Sequence, residues 1–248
     1  MSSANRVTRQ PSCDDPYDPA LLSVDGALKR IAETVSPISD VEVVALRQAL
    51  DRVLAADVHS PIEVPNHTNS AMDGYALRFA DLAKMPLQVI GTAWAGRAFN
   101  GSVGPGESVR IMTGAVLPDG ADTVVMQEHV ERDDDLIRVA GGQREGQHVR
   151  HAGEDLARGG TALGAGRRLL AADIGMAASL GVSELPVLRR PQVAFFSNGD
   201  ELRSIGQPLA LGEVYDSNRY TLHGMLTRAG VTFNDLGVVP DDRKQIRE

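Results

Sequence analysis

Asn69-Ser-Ala-Met-Asp-Gly-Tyr-Ala76 mixes two kinds of residue within one short stretch. Asn69, Ser70, Asp73 and Gly74 favour turns, because short polar side chains bond nearby backbone and glycine tolerates positive φ. Met72, Tyr75 and Ala76 ask for partial burial, and Pro61, Pro65 and the polar run Asn66-His67-Thr68 lead into them. A polar loop pinned by apolar neighbours can hold a carboxylate, here Asp73, in a fixed place beside a cleft. The competing reading is a tight turn at the entrance to a domain, with Asp73 as a turn or helix cap.

Downstream of this stretch come short β-type runs at Leu87–Ile90, Ser108–Ile111, Thr123–Met126 and Leu136–Val139. Gly104-Pro-Gly106 and Pro118-Asp-Gly120 separate them as turns, which predicts a compact β-rich unit over 65–154. Asp133-Asp134-Asp135 reads as a solvated hairpin tip, with a cation cluster as the alternative. His148 and His151 form a His-x-x-His pair near Glu145 and Glu154, short of the ligands that a diagnostic metal spacing needs.

Upstream, residues 1–20 are polar with Pro11, Pro16 and Pro19, and read as a flexible tail. Ser23 caps a helix whose Val24, Ala27, Leu28 and Ile31 share one face. Val41–Ala45 is strand-like, and Leu46, Leu50, Val53 and Leu54 predict a second short amphipathic helix. After Gly153, Gly159-Gly160 and Gly164-Ala-Gly166 precede a helix over Ala172–Leu180 that Gly181 closes.

From Arg190-Pro191 the pattern becomes α/β. Val193–Ser197 is a continuous apolar strand of the buried kind. Asp216, Ser217 and Asn218 offer caps for a helix over Arg219–Ala229, with Gly230 as its stop. Val231–Val239 is a second strand, and Asp241-Asp242 can cap a further helix. Strand, helix, strand and helix start are the opening of a parallel α/β domain. Two strands cannot bury both faces of such a sheet, so 191–248 is expected to be a truncated domain.

A net charge of −8 argues against a general nucleic-acid surface. Cys13 is the only cysteine, so the chain forms no internal disulfide and no cysteine-based zinc site. No apolar run approaches the ~20 residues that span a bilayer, and Met1–Asp14 lacks the apolar core of a signal peptide. These features predict a cytoplasmic protein that binds neither membrane nor nucleic acid.

Further motifs follow in order: Arg110-Ile-Met-Thr-Gly-Ala115, Val124-Val-Met-Gln-Glu128, Gly153-Glu-Asp155, Ser197-Asn-Gly-Asp-Glu-Leu202 and Tyr215-Asp-Ser-Asn-Arg219. With Asn69–Ala76, they resemble the molybdopterin molybdenumtransferase family, to which the C-terminal part of gephyrin is similar. The likeness runs from about Leu21 to the end. It implies a multidomain α+β chain, with an elongated linker domain built from 21–64 and 155–190. The β-rich domain 65–154 would be inserted between these segments, and 191–248 would begin an α/β molybdopterin-binding domain.

The resemblance also implies a reaction. Molybdate enters the dithiolene of adenylyl-molybdopterin, the pyrophosphate bond breaks and AMP leaves, with Mg²⁺ neutralising the pyrophosphate. Carried over motif by motif, the catalytic set is Asp73, Thr113, Asp155 and Glu201. Arg150, Gly114 and Asn218 would bind substrate, and Glu201 and Asp241 would hold the metal. Arg150 would meet an anionic group, Thr113 would give a hydrogen bond, and Asp73 and Asp155 would orient the ligand or activate water. Asp241 is equally readable as a helix cap, Thr113 as a turn residue with Gly114, and Arg150 as a solvated charge.

The family further implies a homodimer with active sites between subunits, and the molybdopterin adenylyltransferase as a partner. Two positions depart from the pattern: Thr68 stands where the family commonly has Asp, and Asn198 where it has Thr. The family's Ser-Gly-Gly loop and C-terminal β domain have no counterpart in the sequence, so this chain is expected to be an incomplete version. Two other functions fit the same residues. One is a non-catalytic dimerisation or binding module derived from the family, and the other is an unrelated Mg-dependent phosphohydrolase.

Overall fold

The computed structural model describes residues 23–242 and 244–247, so the tail read over 1–20 lies outside the described residues. In chain order, the elements begin with α1 (Val24–Thr34), β1 (Val41–Ala45), β2 (Val58–His59), β3 (Asn69–Ser70), β4 (Gly74–Leu77) and β5 (Leu87–Ala93). Next come β6 (Glu107–Ile111), β7 (Thr123–Met126), β8 (Val130–Asp133), β9 (Leu136–Val139), β10 (Val149–Arg150) and β11 (Thr161–Leu163). The last are α2 (Ala171–Ser179), β12 (Glu184–Leu188), β13 (Gln192–Asn198), β14 (Leu202–Arg203), β15 (Val214–Tyr215), α3 (Ser217–Ala229) and β16 (Thr232–Val239). Two compact units emerge, Val41–Leu188 and the remainder on either side of it.

In the unit Val41–Leu188, a six-stranded mixed sheet runs in the order β7-β4-β6-β5-β9-β8. Only β5 and β6 are parallel; the other neighbours are antiparallel. The β4 strand sits between β6 and β7 and is buried along its whole length. Its alternation explains this, since Ala76 joins Val109, Ile111 and Val124 in one apolar cluster while Tyr75 and Leu77 join Val125 and Ile137 in another. Successive residues point to opposite faces, so the sheet carries a core on each side. Gly74 is forced by this crowding: a Cβ there would meet the Val125 carbonyl oxygen at 2.0 Å.

Three short antiparallel ladders accompany the sheet. Residues 41–45 pair with 184–188, 58–59 with 161–163, and 69–70 with 149–150. The first two ladders surround a third core of Ala49, Leu54, Val58, Leu163, Leu169, Ala177, Leu185 and Val187. The helix expected over Leu46–Leu54 is replaced by a single 3₁₀ turn, Leu46–Gln48. Asp51 takes a positive φ of 62°, and Leu54 bridges Val187 instead of continuing a helix. Cross-strand pairing has overridden a helical spacing of apolar residues.

In the other unit, Ser23 caps α1 by accepting from Gly26 N at 3.1 Å. Strands β13 and β16 are parallel, and α3 runs between them in sequence. Asp216 caps α3 and Gly230 ends it at φ 68°. Of the residues of β13 only Phe195 is buried, so this strand lacks the two-sided burial that its apolar run predicts. No helix among the described residues is long and apolar enough to cross a membrane.

Candidate active site

Asp73 sits in the bend between β3 and β4. Its Oδ1 accepts two hydrogen bonds from Thr113, one from the backbone N–H and one from the hydroxyl, each at 2.7 Å. These bonds, backbone first, hold the Asp73 carboxyl below its ordinary value, and the positive charge of Arg110 adds to the effect. Asp73 is therefore a fixed, ionised acceptor and a poor proton donor.

The bend and the Met112–Ala115 turn are tied together by backbone. Gly114 N donates to Ser70 O at 2.8 Å, and Ser70 N donates to Ala115 O at 3.0 Å. Ser70 Oγ donates to Met72 O at 2.6 Å, which closes the bend locally. On the other flank of β3, Asn69 pairs with Arg150. One short strand thus carries the Thr113–Gly114 turn on one side and Arg150 on the other.

Arg150 is engaged twice. Its Nε donates to Glu154 Oε1 at 2.8 Å and its Nη2 to Asp155 Oδ1 at 2.6 Å. The two carboxylates raise the guanidinium pKa, while Arg150 and then the His151 backbone N–H lower that of Glu154. Arg150 and Asp155, given separate roles by the family likeness, are paired with each other here, with Glu154 as a third member of the cluster.

Glu201, Asn218 and Asp241 belong to the other unit, and all three are exposed. Glu201 follows the end of β13. Asp241 follows the end of β16, and Asn198 and Val239 are paired there. Asn198 Nδ2 donates to Asp241 Oδ1 at 2.7 Å, and Asp241 N donates to Asp200 Oδ1 at 3.2 Å. Asn198 and Asp200 thereby hold Asp241 from both its side chain and its backbone. A cleft of about 450 Å³ opens beside these strand ends, lined by Gly199, Asp200, Leu202, Arg203 and Gln207 among others. Asn218 lies in the first turn of α3, whose cap is Asp216 Oδ1 accepting from Arg219 N at 3.1 Å. Among the described residues no three His, Cys, Asp or Glu side chains converge as a metal site, so His148 and His151 gather no further ligands.

Sequence reading missed two residues beside Asp73. Arg110 lies directly across from Tyr75 in the β4–β6 ladder, with its guanidinium carbon 5.0 Å from the ring centroid. Arg110 Nη2 also donates to Gln127 Oε1. Arg110 and Gln127 each belong to a quoted motif, which was the available signal. Their contact needs the sheet order β7-β4-β6, which no local pattern supplies.

A mixed sheet of this order, with Asp73 fixed by Thr113 at its end, defines the class of protein through its relatives. Residues 22–181 match the model of the MoeA N-terminal region (domain I and II), and residues 195–248 match that of a "Probable molybdopterin binding domain". The chain belongs to the MoeA family. It is 37% identical over 230 residues to the molybdopterin molybdenumtransferase of Haemophilus influenzae, covering 92% of this chain and 57% of that protein. It is 39% identical over 231 residues to molybdopterin molybdenumtransferase 2 of Mycobacterium tuberculosis, covering 91% and 57%. The crystal structure of the molybdopterin biosynthesis moeA protein from Pyrococcus horikoshii OT3 superposes with a TM-score of 0.83 at 32% identity, covering 92% of this chain and 62% of that one. The chain therefore spans 57% of the length of these two curated relatives.

Proposed function

We propose that this chain acts as a molybdopterin molybdenumtransferase, which inserts molybdate into adenylyl-molybdopterin and releases AMP. The observation that carries the reading is the Asp73–Thr113 pair, a carboxylate held ionised at a sheet end, in a chain 37% identical to an enzyme of that name. In this reading Asp73 orients the substrate. Thr113, whose two donors both serve Asp73, acts toward the ligand as an acceptor. Asp155 and Arg150 form a second polar edge across β3, and Gly114 and Asn218 contribute backbone and amide contacts.

Glu201 and Asp241 are the residues that would hold Mg²⁺. They follow adjacent parallel strand ends, the edge at which α/β sheets bind ligands. The donor set suits the ion, because magnesium takes one or two carboxylates together with substrate phosphates and water. When bound, it would neutralise the pyrophosphate oxygens. Asn198 keeps Asp241 oriented, and Gly199 and Asp200, next to Glu201 in sequence, line the cleft.

The reading extends to architecture and partners. Residues 21–64 and 155–190 would form one linker, with 65–154 inserted and 191–248 as the beginning of the molybdopterin-binding domain. The ladders 41–45 with 184–188 and 58–59 with 161–163 support the linker. Homodimerisation is part of the proposal, supported by the exposed apolar stripe of Val24, Leu28 and Ile31 on α1. So are a cytoplasmic location and the molybdopterin adenylyltransferase as the partner that supplies substrate. The test is AMP release from adenylyl-molybdopterin with and without molybdate. Molybdate-dependent release supports the transferase. Release that ignores molybdate would replace it with a phosphohydrolase.

A further inference from the structure

The hydrogen-bond donors of two proposed site residues are already committed. Thr113 gives both its N–H and its hydroxyl proton to Asp73. Arg150 divides its guanidinium between Glu154 and Asp155, which leaves that cluster net negative. A substrate with a pyrophosphate, and a second substrate that is itself an oxyanion, still call for a cation near Asp73.

Arg110 is held in a different manner. Its hydrogen-bond and ring contacts among the described residues are to neutral groups, the amide oxygen of Gln127 at its tip and the ring of Tyr75 beneath it, while the Asp73 carboxylate feels its charge through space. Gln127 Nε2 in turn donates to Glu128 Oε1 at 3.2 Å, so an amide stands between the guanidinium and the nearby carboxylate. Neutral partners fix a guanidinium without cancelling its charge. A planar fork held in this way suits two oxygens of a tetrahedral oxyanion. Tyr75 is buried and anchors the arrangement in the sheet. The two Thr113 bonds depress the Asp73 carboxyl most, and the charge of Arg110 adds a smaller push in the same direction.

We infer that Arg110 is the anion-binding residue of this site, taking a tetrahedral oxyanion beside the Asp73–Thr113 pair, with Gln127 as the positioning residue that keeps its charge free. The inference deepens the transferase reading and rests on it for the identity of the anion. Phosphate of the adenylylated substrate and molybdate share the chemistry, and titration separates them.

The reporter is built in. Trp94, the only tryptophan, is exposed where β5 ends, and the adjacent Ala93 carbonyl accepts from Met112 N at 3.2 Å. The whole chain is titrated separately with molybdate, inorganic phosphate and AMP, by Trp94 fluorescence and by calorimetry. Arg110→Gln should weaken binding of the cognate anion about tenfold or more, the scale of a lost charged hydrogen bond. Gln127→Glu keeps an acceptor for Arg110 but supplies a neutralising charge, and should weaken the same anion with the melting temperature maintained. Arg110→Lys, which keeps the charge and loses the fork, should fall between. Weakening for molybdate alone assigns molybdate, and weakening for phosphate and AMP alone assigns the substrate phosphate. Wild-type protein that binds none of the three, or unchanged affinities in Gln127→Glu and Arg110→Lys, overturns the inference. Anion binding that depends on Arg110 without molybdate-dependent AMP release leaves the site standing and removes the transferase reading instead.

Discussion

Thr113 places its backbone N–H and its hydroxyl on one oxygen of Asp73, at 2.7 Å each, across 40 residues of sequence. Both bonds favour the ionised carboxyl, so its folded-state pKa lies below the ordinary 3.8. A depressed carboxyl stabilises the fold fully above the unfolded pKa and loses that contribution as pH falls through the folded one. Asp73→Asn should therefore lower the melting temperature most at neutral pH, with the gap closing below pH 3.8. Melting curves from neutral to strongly acid buffer check this. A gap that stays constant with pH would show that the Asp73 charge is not what Thr113 stabilises.

Gly74 gives a test of the sheet that carries Asp73. A Cβ at this position would sit 2.0 Å from a carbonyl oxygen of the neighbouring strand, and backbone in a central ladder cannot swing aside. Gly74→Ala should cost at least about 1–3 kcal/mol, the usual range for overpacking. It should also disturb Asp73, its immediate neighbour. Urea unfolding measures the first effect, and loss of the acid-dependent gap described for Asp73 measures the second.

Much of this was legible before the fold. Thr123–Met126 and Leu136–Val139 are strands with the bounds that their β-branched runs suggested, and Asp216 and Gly230 bracket α3 as cap chemistry requires. These are local signals, set by propensity and turn geometry. Leu46–Leu54 failed because its apolar residues satisfy a helical spacing, yet Leu54 is claimed by Val187 far along the chain. Arg110 and Gln127 were invisible as partners for the same reason. Their contact crosses β4, and only the parallel β5–β6 pairing and the strand order fix which ends meet. The role for Thr113 came from family likeness, whereas Asp73 and Glu201 also had local signals, a pinned polar loop for the first and a strand end for the second. The bonds that make Asp73 a fixed anion are a property of the fold.

Asp173 offers a second acid-sensitive point, away from the site. Its Oδ2 accepts from Leu170 N at 2.8 Å at the start of α2, and its Oδ1 pairs with Arg167 at 2.9 Å. The backbone bond first, and then Arg167, depress its carboxyl, and the side chain is almost fully buried. Asp173→Ala strands a helix-entry N–H and should cost about 1–3 kcal/mol by chemical unfolding at neutral pH. The cost should shrink as pH drops below 3.8, the ordinary value for this carboxyl. Equal stability of the two proteins at neutral pH would mean that α2 starts without this cap.

Glu201 and Gly199 make the final prediction. A Cβ at Gly199, where φ is +151°, would lie 2.7 and 2.9 Å from the two oxygens of Glu201, so the carboxylate rests against the glycine backbone. The obstructing atoms are the free end of a flexible side chain, which can move while the fold stays. Gly199→Ala should thus shift the Glu201 carboxylate with little loss of stability beyond the backbone strain. If Glu201 positions metal or substrate, Glu201→Gln should slow molybdate-dependent AMP release by about 10²–10³, the scale for one charge-assisted contact made in a transition state. Gly199→Ala should fall in the same direction although it removes no charge. Asp133→Asn, at the end of β8 in the hairpin with β9, is the control and should leave the rate unchanged. Rates for Glu201→Gln and Asp133→Asn that agree with wild type would take Glu201 out of the mechanism. A slow Glu201→Gln beside a fully active Gly199→Ala would keep Glu201 and show that its resting place against the glycine is not its working one.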